Sequence, residues 1–182
     1  MAVDYGGNAV TWNGTSWSSP AAIDPWGSVG ASLNSVSCPS TTFCVAVDGL
    51  GYAVTWNGTS WSLSNLSNPI DNSGIPNSVS CVSSSFCVAV DGAGNAVTWN
   101  GTSWSSPAAI DAGNALNSVS CVSSSFCVAV DGSGNELIWN MTYWTAPVPV
   151  DPGASLTSVS CASSAFCVAV DSKGNVLSAD AV

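Results

Sequence analysis

Eight cysteines are the residues of this 182-residue chain whose spacing points most directly to chemistry. They form four Cys-x5-Cys segments, in which turn-forming residues and a phenylalanine separate the two thiols. On one extended strand two such sulfurs would lie roughly 20 Å apart, because a strand rises about 3.3 Å per residue. A tight hairpin brings them together. We therefore predict four local disulfides in a secreted protein from an oxidising, extracellular setting: Cys38–Cys44, Cys81–Cys87, Cys121–Cys127 and Cys161–Cys167.

Other chemistry fits the composition poorly. A zinc site would require neighbouring cysteine pairs to converge on one tetrahedral centre, and the chain has no histidine to complete it. The absence of histidine also excludes Ser-His-Asp and Cys-His catalysis. A glycosidase could use two aspartates as acid and base, but here the aspartates recur with the sequence repeat, as structural turn residues do. We predict no catalytic residue, no metal site and no cofactor, so the protein is not expected to be an enzyme.

Charge and hydropathy further restrict the partners. One lysine and eleven acidic residues give a net charge of −10, which disfavours nucleic acid and anionic membrane surfaces. Polar residues interrupt every apolar stretch before it reaches the length of a transmembrane helix, so no membrane insertion is predicted. Repeated Asp-Gly-x-Gly-Asn segments carry oxygen ligands that suit calcium. One aspartate per loop supplies too little charge, however, and a side-chain-capped turn explains the same residues.

Tryptophan gives the strongest indication of a binding function. Eight of the nine tryptophans form pairs that flank a hairpin turn, such as Trp12 and Trp17. We expect the first ring of each pair to pack between neighbouring units and the second to be partly exposed. An exposed ring stacks on a sugar face while amides bind the hydroxyls, and repetition makes weak sites multivalent. The predicted sites for neutral glycans comprise Trp17, Trp61, Trp104, Trp144, Asn13, Asn57, Asn100 and Asn140.

An internal repeat must position all of these residues. Val-Ala-Val-Asp occurs four times in full, and a shortened copy ends at Asp4. The phenylalanines that precede the full copies are separated by 43, 40 and 40 residues. A period in this range indicates an array of similar supersecondary units. We divide a single domain, 1–182, into repeats 2–32 (partial), 33–76, 77–115, 116–155 and 156–182 (partial).

Each complete repeat is predicted to contain four β-strands. In repeat 33–76 these are Leu33–Cys38, Phe43–Asp48, Ala53–Trp56 and a fourth that begins at Thr59–Trp61. Apolar and β-branched residues alternate with a period of two, as in half-buried strands, and no helical periodicity occurs. Asn-Gly dipeptides before the fourth strand predict type I′ turns, whose two central residues need positive φ.

The two faces of these strands differ in size. Phenylalanine, valine and tryptophan of one sheet can fit against cysteine, alanine and threonine of the next, and the serines of strand one are small enough to crowd around a central axis. Four-stranded meanders packed in this way predict an all-β fold, the β-propeller; a β-solenoid is the alternative. The 18 predicted strands allow five blades with incomplete ends, four closed blades with an overhang, or ends that pair with another copy to give a homo-oligomer. We favour five blades.

The repeat also resembles known propellers. Ser-Cys-x5-Cys-Val-Ala-Val-Asp-Gly-x-Gly-Asn-Ala, followed by Trp-Asn-Gly-x-Ser-Trp, resembles the disulfide-bearing propeller repeats of secreted actinobacterial proteins. It is loosely similar to the Asp-box hairpin of sialidase-like propellers, although the distance from Asp91 to Trp99 is two residues longer. That resemblance carries over no catalytic residue, since the chain lacks arginine. A more distant similarity to five-bladed and tectonin-type lectin propellers implies one sugar site per blade.

Two functional hypotheses follow. The first is a secreted, lectin-like module that binds neutral carbohydrate through repeated Trp/Asn sites. The second is a non-catalytic structural or protein-interaction scaffold that self-assembles through its incomplete terminal blades. Exposure of the tryptophans distinguishes them, because sugar sites require several rings open to solvent.

Overall fold

Five antiparallel sheets follow one another along the chain in the computed structural model, which describes residues 1–24, 26, 32–63 and 69–180. Blade 1 contains β1 (Ala2–Val3), β2 (Asn8–Val10) and β3 (Ala21–Ala22). Blade 2 contains β4 (Leu33–Ser40), β5 (Phe43–Asp48), β6 (Ala53–Trp56) and β7 (Trp61–Leu63). Blade 3 contains β8 (Pro76–Ser83), β9 (Phe86–Asp91), β10 (Asn95–Trp99) and β11 (Ala108–Ala109). Blade 4 contains β12 (Leu116–Ser123), β13 (Phe126–Asp131), β14 (Asn135–Trp139) and β15 (Val148–Pro149), and blade 5 contains β16 (Leu156–Ser163), β17 (Phe166–Asp171) and β18 (Val176–Asp180).

The predicted five-bladed propeller with incomplete terminal blades is confirmed. Consecutive strands pair in every blade, and blades 2 to 4 have four strands each. Among the described residues, blade 1 contains the equivalents of strands two to four and blade 5 those of strands one to three. Strand one ends two residues later than predicted, at Ser40 in blade 2. Within the ranges described, no helix is long and apolar enough to cross a lipid bilayer.

Serine hydroxyls join strand one of each complete blade to strand one of the next. Oγ of Ser35 accepts the backbone N–H of Val79 at 3.1 Å, and Oγ of Ser37 accepts the N–H of Cys81 at 2.9 Å. The same two bonds recur between β8 and β12 and between β12 and β16. These small side chains therefore permit close approach and also satisfy backbone donors that the sheet leaves unpaired.

Apolar packing between blades follows the predicted pattern of large against small. Val45 and Val47 of blade 2 are buried in one cluster with Cys87, Ala89 and Val97 of blade 3. Corresponding clusters join blades 1 and 2, blades 3 and 4, and blades 4 and 5. Full burial of one valine side chain contributes about 1.5–3 kcal/mol. The junctions between blades therefore contain the main stabilising contacts of the fold.

All four predicted disulfides form, and each joins strands one and two of its own blade. The paired Cα atoms are only 4.0–4.1 Å apart, because the cysteines lie opposite each other, as the register of Cys81 and Cys87 shows. Cys87 and Cys127 are fully buried at blade junctions. The four bridges indicate an oxidising environment.

The type I′ prediction for the Asn-Gly hairpins is wrong. φ is not positive at Asn13, Asn57 or Asn100, whereas the glycines that follow have φ of 94–98°. Oδ1 of each asparagine instead accepts the backbone N–H groups of the second and third residues that follow. The side chain thus organises a four-residue loop, and only its second position needs positive φ.

The fourth strand begins later than predicted in blades 1, 3 and 4. There the second tryptophan forms only an isolated bridge with the first, and a two-residue strand follows after a gap. A proline lies three residues after each of these tryptophans (Pro20, Pro107 and Pro147). Proline has no N–H to donate to a neighbouring strand. Blade 2 has no proline at that position, and β7 begins at Trp61.

Candidate functional site

Each predicted tryptophan pair is brought together across its hairpin. The ring centroids lie 5.6–5.9 Å apart and the interplanar angles are 46–52°. A tilted arrangement at this distance is favourable, because the positive edge of one ring faces the negative face of the other. The pairs Trp12/Trp17, Trp56/Trp61, Trp99/Trp104 and Trp139/Trp144 thus place one aromatic unit on the outer hairpin of each of blades 1 to 4.

The first ring of a pair has a structural role in blades 2 to 4. Its indole Nε1 donates a hydrogen bond to a backbone carbonyl in the disulfide hairpin of the same blade: Trp56 to Thr41 at 3.1 Å and Trp99 to Ser84 at 3.0 Å. Trp139 makes the same bond. Because blade 1 has no disulfide hairpin, Trp12 lacks this anchor and is 47% exposed.

The second rings, which we predicted as sugar platforms, are not equivalent to one another. Trp17 is 53% exposed. Trp104 and Trp144 are half-buried against the apolar clusters between blades 2 and 3 and between blades 3 and 4. Trp61 packs in the same way against blade 1. Only part of each of these three rings is therefore open to a ligand.

The predicted asparagines already use part of their hydrogen-bonding capacity within their own hairpin loops. Oδ1 of Asn13, Asn57, Asn100 and Asn140 accepts two backbone N–H groups of its own loop, at 2.9–3.1 Å. Their amide NH2 groups remain as donors, although that of Asn100 contacts Ser103 at 3.4 Å. These residues organise the hairpins first and could contribute to a site only as donors.

A groove of about 530 Å³ lies between blades 2 and 3, beside one of the tryptophan pairs. Trp99 and Trp104 form one wall. Hydroxyl side chains line the rest together with a few aliphatic residues, and the described lining is uncharged: Thr55, Ser62, Thr102, Ser103, Ser105, Leu63, Pro69 and Ile70. The groove therefore combines Trp104 with hydroxyl groups of the preceding blade, and not with the asparagine of its own hairpin. Asn57 lies beside a separate depression next to Phe43.

A second set of aspartates, which the sequence analysis did not single out, meets the turn aspartates at the blade junctions. Oδ1 of Asp131 accepts the N–H groups of Ser133 and Asn135 at 2.9 and 2.7 Å, as expected for a side-chain-capped turn. Asp111 follows the last strand of blade 3, and its carboxyl interacts electrostatically with that of Asp131 in blade 4. Both are buried, with 4% and 0% exposure. Equivalent pairs are Asp24/Asp48, Asp71/Asp91 and Asp151/Asp171.

Adjacent buried carboxyls favour sharing one proton over carrying two charges. Burial raises the pKa of Asp111, and the neighbouring Asp131 raises it further, against the effect of the Asn114 amide. Burial also acts to raise the pKa of Asp131, but hydrogen bonds from Asn135, Asp111 and Ser133 outweigh it and bring that pKa below 3.8. The pKa values of the two carboxyls are therefore shifted in opposite directions, and Asp111 is the easier of the two to protonate.

One junction departs from this pattern. Tyr52 of blade 2 stands where blades 3 to 5 have an asparagine whose amide donates to Oδ2 of the turn aspartate, as Asn95 does at 2.7 Å. Oδ2 of Asp48 has no hydrogen-bond donor within the described part of the chain. Burial raises the pKa of Asp48. The neighbouring Asp24 raises this pKa further, so Asp48 is easier to protonate than an ordinary aspartate.

A sequence signal for the second aspartates exists. Each follows Ile or Val and precedes the next turn aspartate by 20 to 24 residues: Asp24, Asp71, Asp111 and Asp151. Their repetition indicates a structural position, but the sequence does not show that they lie beside another carboxyl. Within the described ranges, no group of three or more His, Cys, Asp or Glu side chains lies close enough to hold a metal ion.

Comparison with known proteins identifies the fold. No protein-family model and no curated protein matches this chain. A structure of YCF48 bound to D1 peptide is 17% identical with a TM-score of 0.69, and the match covers 98% of this chain and 58% of that one. YCF48 from Cyanidioschyzon merolae is 18% identical with a TM-score of 0.63, over 82% of this chain and 51% of that one. The computationally designed Ika4 protein is 11% identical with a TM-score of 0.63, over 81% and 90%.

At such low identities these matches establish the β-propeller fold alone. This chain spans just over half the length of the YCF48 structures that it resembles.

Proposed function

We propose that this chain is a secreted, non-catalytic binding module that recognises neutral carbohydrate, with the groove between blades 2 and 3 as its principal site. The observation that carries the proposal is the pairing of an aromatic wall, Trp99 and Trp104, with an uncharged, hydroxyl-rich lining. An aromatic ring covers the apolar face of a sugar, while hydroxyls exchange hydrogen bonds with its rim.

Charge supports a neutral ligand. The protein has a net charge of −10, so an anionic glycan would be repelled. Glu136 lies at the junction of blades 4 and 5, away from this groove. The four disulfides support an oxidising, extracellular location.

The available side chains support a non-catalytic role. The chain has no histidine and no arginine. The turn aspartates accept hydrogen bonds from backbone and amide donors, as Asp91 does from Ala93 and Asn95. Such carboxylates are held by the fold and are not free to act as an acid and base pair.

The test is a glycan array with the oxidised protein, followed by titration of the best neutral ligand. Trp104→Ala is expected to weaken binding at least about tenfold, which corresponds to about 1.4 kcal/mol. Ser62→Ala, which removes an exposed hydroxyl from the groove, is expected to weaken it less. Trp144→Ala is the matched control, because it removes the equivalent ring of blade 4.

Further measurements distinguish loss of the binding site from loss of the folded structure. Thermal unfolding of both tryptophan variants shows whether each still folds. Equal losses of affinity in Trp104→Ala and Trp144→Ala would reject the groove as the principal site. A silent array, or binding only to a peptide competitor, would reject carbohydrate recognition.

A further inference from the structure

Blade 5 leaves uncovered a face that internal blades bury. In blade 4, Val128 and Val130 pack against blade 5 and are 4% and 1% exposed. Val168 and Val170 occupy the same repeat positions in blade 5 and are only half-buried. Val176 lies opposite Val170 in the strand register, on the same face, and is 68% exposed.

Hydrogen-bonding groups on this face are uncovered as well. Ser118 of blade 4 is buried, and its Oγ accepts the backbone N–H of Val159 in blade 5 at 3.2 Å. Ser158 and Ser160 are the corresponding serines of blade 5, and both are exposed. The face therefore retains both the apolar and the polar features that bind a following blade.

In its described residues, blade 1 presents the aromatic part of the complementary half, without a strand one whose N–H groups could bind Ser158 and Ser160. In blade 3, Trp99 and Trp104 pack against the cluster formed with blade 2, and Val97 beside them is buried. Trp12 and Trp17 are the equivalent rings of blade 1, and they are exposed. Thus the first blade has uncovered tryptophans and the last blade has uncovered valines.

We propose that this chain associates head to tail with a second copy of itself, with blade 5 of one copy packing against blade 1 of the other. We infer a second copy as the occupant because, at the internal junctions, valines of one blade pack in one cluster with small residues and with tryptophans of the next blade. The two halves differ, so the interface is heterologous and either closes into a ring or continues as a filament. Carbohydrate binding is not required, and the groove between blades 2 and 3 lies outside both faces.

Light scattering over a concentration series tests the proposal. The mass of the wild-type protein is expected to rise above that of a monomer, more readily in added salt, because each copy carries a net charge of −10 and salt screens the repulsion. Val168→Asp disrupts the uncovered face of blade 5, and the double variant Trp12→Ser/Trp17→Ser removes the exposed rings of blade 1. Each of these two proteins is expected to be monomeric. Val148→Asp and Tyr143→Ser change exposed residues of blade 4 and are the matched controls.

A mixing experiment identifies the head-to-tail arrangement. The Val168→Asp copy retains an intact blade 1, and the tryptophan variant retains an intact blade 5, so their mixture is expected to form a heterodimer with one interface. A mixture that remains monomeric, or a wild-type protein that is monomeric at every concentration, overturns the proposal. Circular dichroism confirms folding of each variant, and Val176→Asp replaces Val168→Asp if the latter does not fold.

Discussion

The internal junctions and the terminal blades contain the same repeated residues in different environments. Val130 is fully buried beneath blade 5, whereas Val170, its equivalent in blade 5, is half-buried. Trp104 packs against the preceding blade, whereas Trp17 in blade 1 is exposed. The difference shows that a repeat specifies its strands and turns by itself, but that its burial depends on the next blade. Stability in such an array is then a sum of terms for repeats and for their junctions.

The largest expected effect comes from a charge introduced at one repeat position, either in an internal junction or in the terminal blade. Val130→Asp places a carboxylate in a closed junction without a partner, and we expect it to cost more than about 4 kcal/mol and to prevent stable folding. Val170→Asp leaves the charge in contact with water and should cost less than half as much. Urea unfolding of both variants measures the difference. Equal losses would show that the face of blade 5 is already covered.

The second prediction concerns pH and the aspartate pairs. The raised pKa of Asp111 means that the folded state holds a proton which the unfolded chain releases above its ordinary value of 3.8. This stabilisation is complete below that value and is lost as pH rises through the folded pKa. The lowered pKa of Asp131 acts in the opposite sense, and its contribution is lost only as pH falls below 3.8. The free energy of unfolding is therefore expected to be higher in mildly acidic buffer than at neutral pH.

Two variants locate this effect at the junctions. Asp111→Asn supplies a permanent amide donor to Asp131, and we expect it to stabilise the protein at neutral pH by about 1–2 kcal/mol and to flatten the pH dependence. Asp4→Asn neutralises the turn aspartate of blade 1, the terminal counterpart of Asp131. Backbone and amide hydrogen bonds from Asn8 lower the pKa of Asp4, so its neutralisation should destabilise. Stabilisation by both variants would attribute the pH dependence to overall negative charge.

The third prediction compares two serines at one repeat position. Ser118→Ala removes the acceptor for the Val159 N–H at a buried junction, and should cost about 1 kcal/mol. Ser158→Ala removes an exposed hydroxyl and should change the free energy of unfolding by no more than about 0.5 kcal/mol. Amide hydrogen exchange at Val159 provides an independent measurement, since protection there should fall only in Ser118→Ala.

Sequence reasoning predicted regular features and missed relations between repeats. Periodicity and the cysteine spacing were sufficient for five blades and four disulfides, because strands and tight hairpins are set by neighbouring residues. The geometry of the Asn13 loop was predicted incorrectly, since Asn-Gly also fits a four-residue loop capped by the asparagine side chain. The Asp111–Asp131 contact and the groove beside Trp104 join residues of different blades. Local pattern carries no information on such contacts until the packing of one blade on the next is known.

Internal and terminal blades differ in side-chain burial, but we expect the backbone strain of their outer hairpin turns to be alike. Met141 has φ of 77° at the loop position where the other three hairpins have glycine, and a left-handed conformation costs a side-chain-bearing residue about 1–2 kcal/mol. We expect Met141→Gly to stabilise blade 4 by about 0.5–1 kcal/mol, after the entropic cost of glycine. Gly14→Met in blade 1 should destabilise by a similar amount, because φ is 98° there. No neighbouring atom lies within 4 Å of an added Cβ, so the expected cost is backbone strain without a steric clash. Thermal unfolding of both variants makes the comparison. A clearly smaller effect in blade 1 would mean that its hairpin is not held in this conformation, and that the missing neighbour disorders the turn as well as exposing the tryptophans.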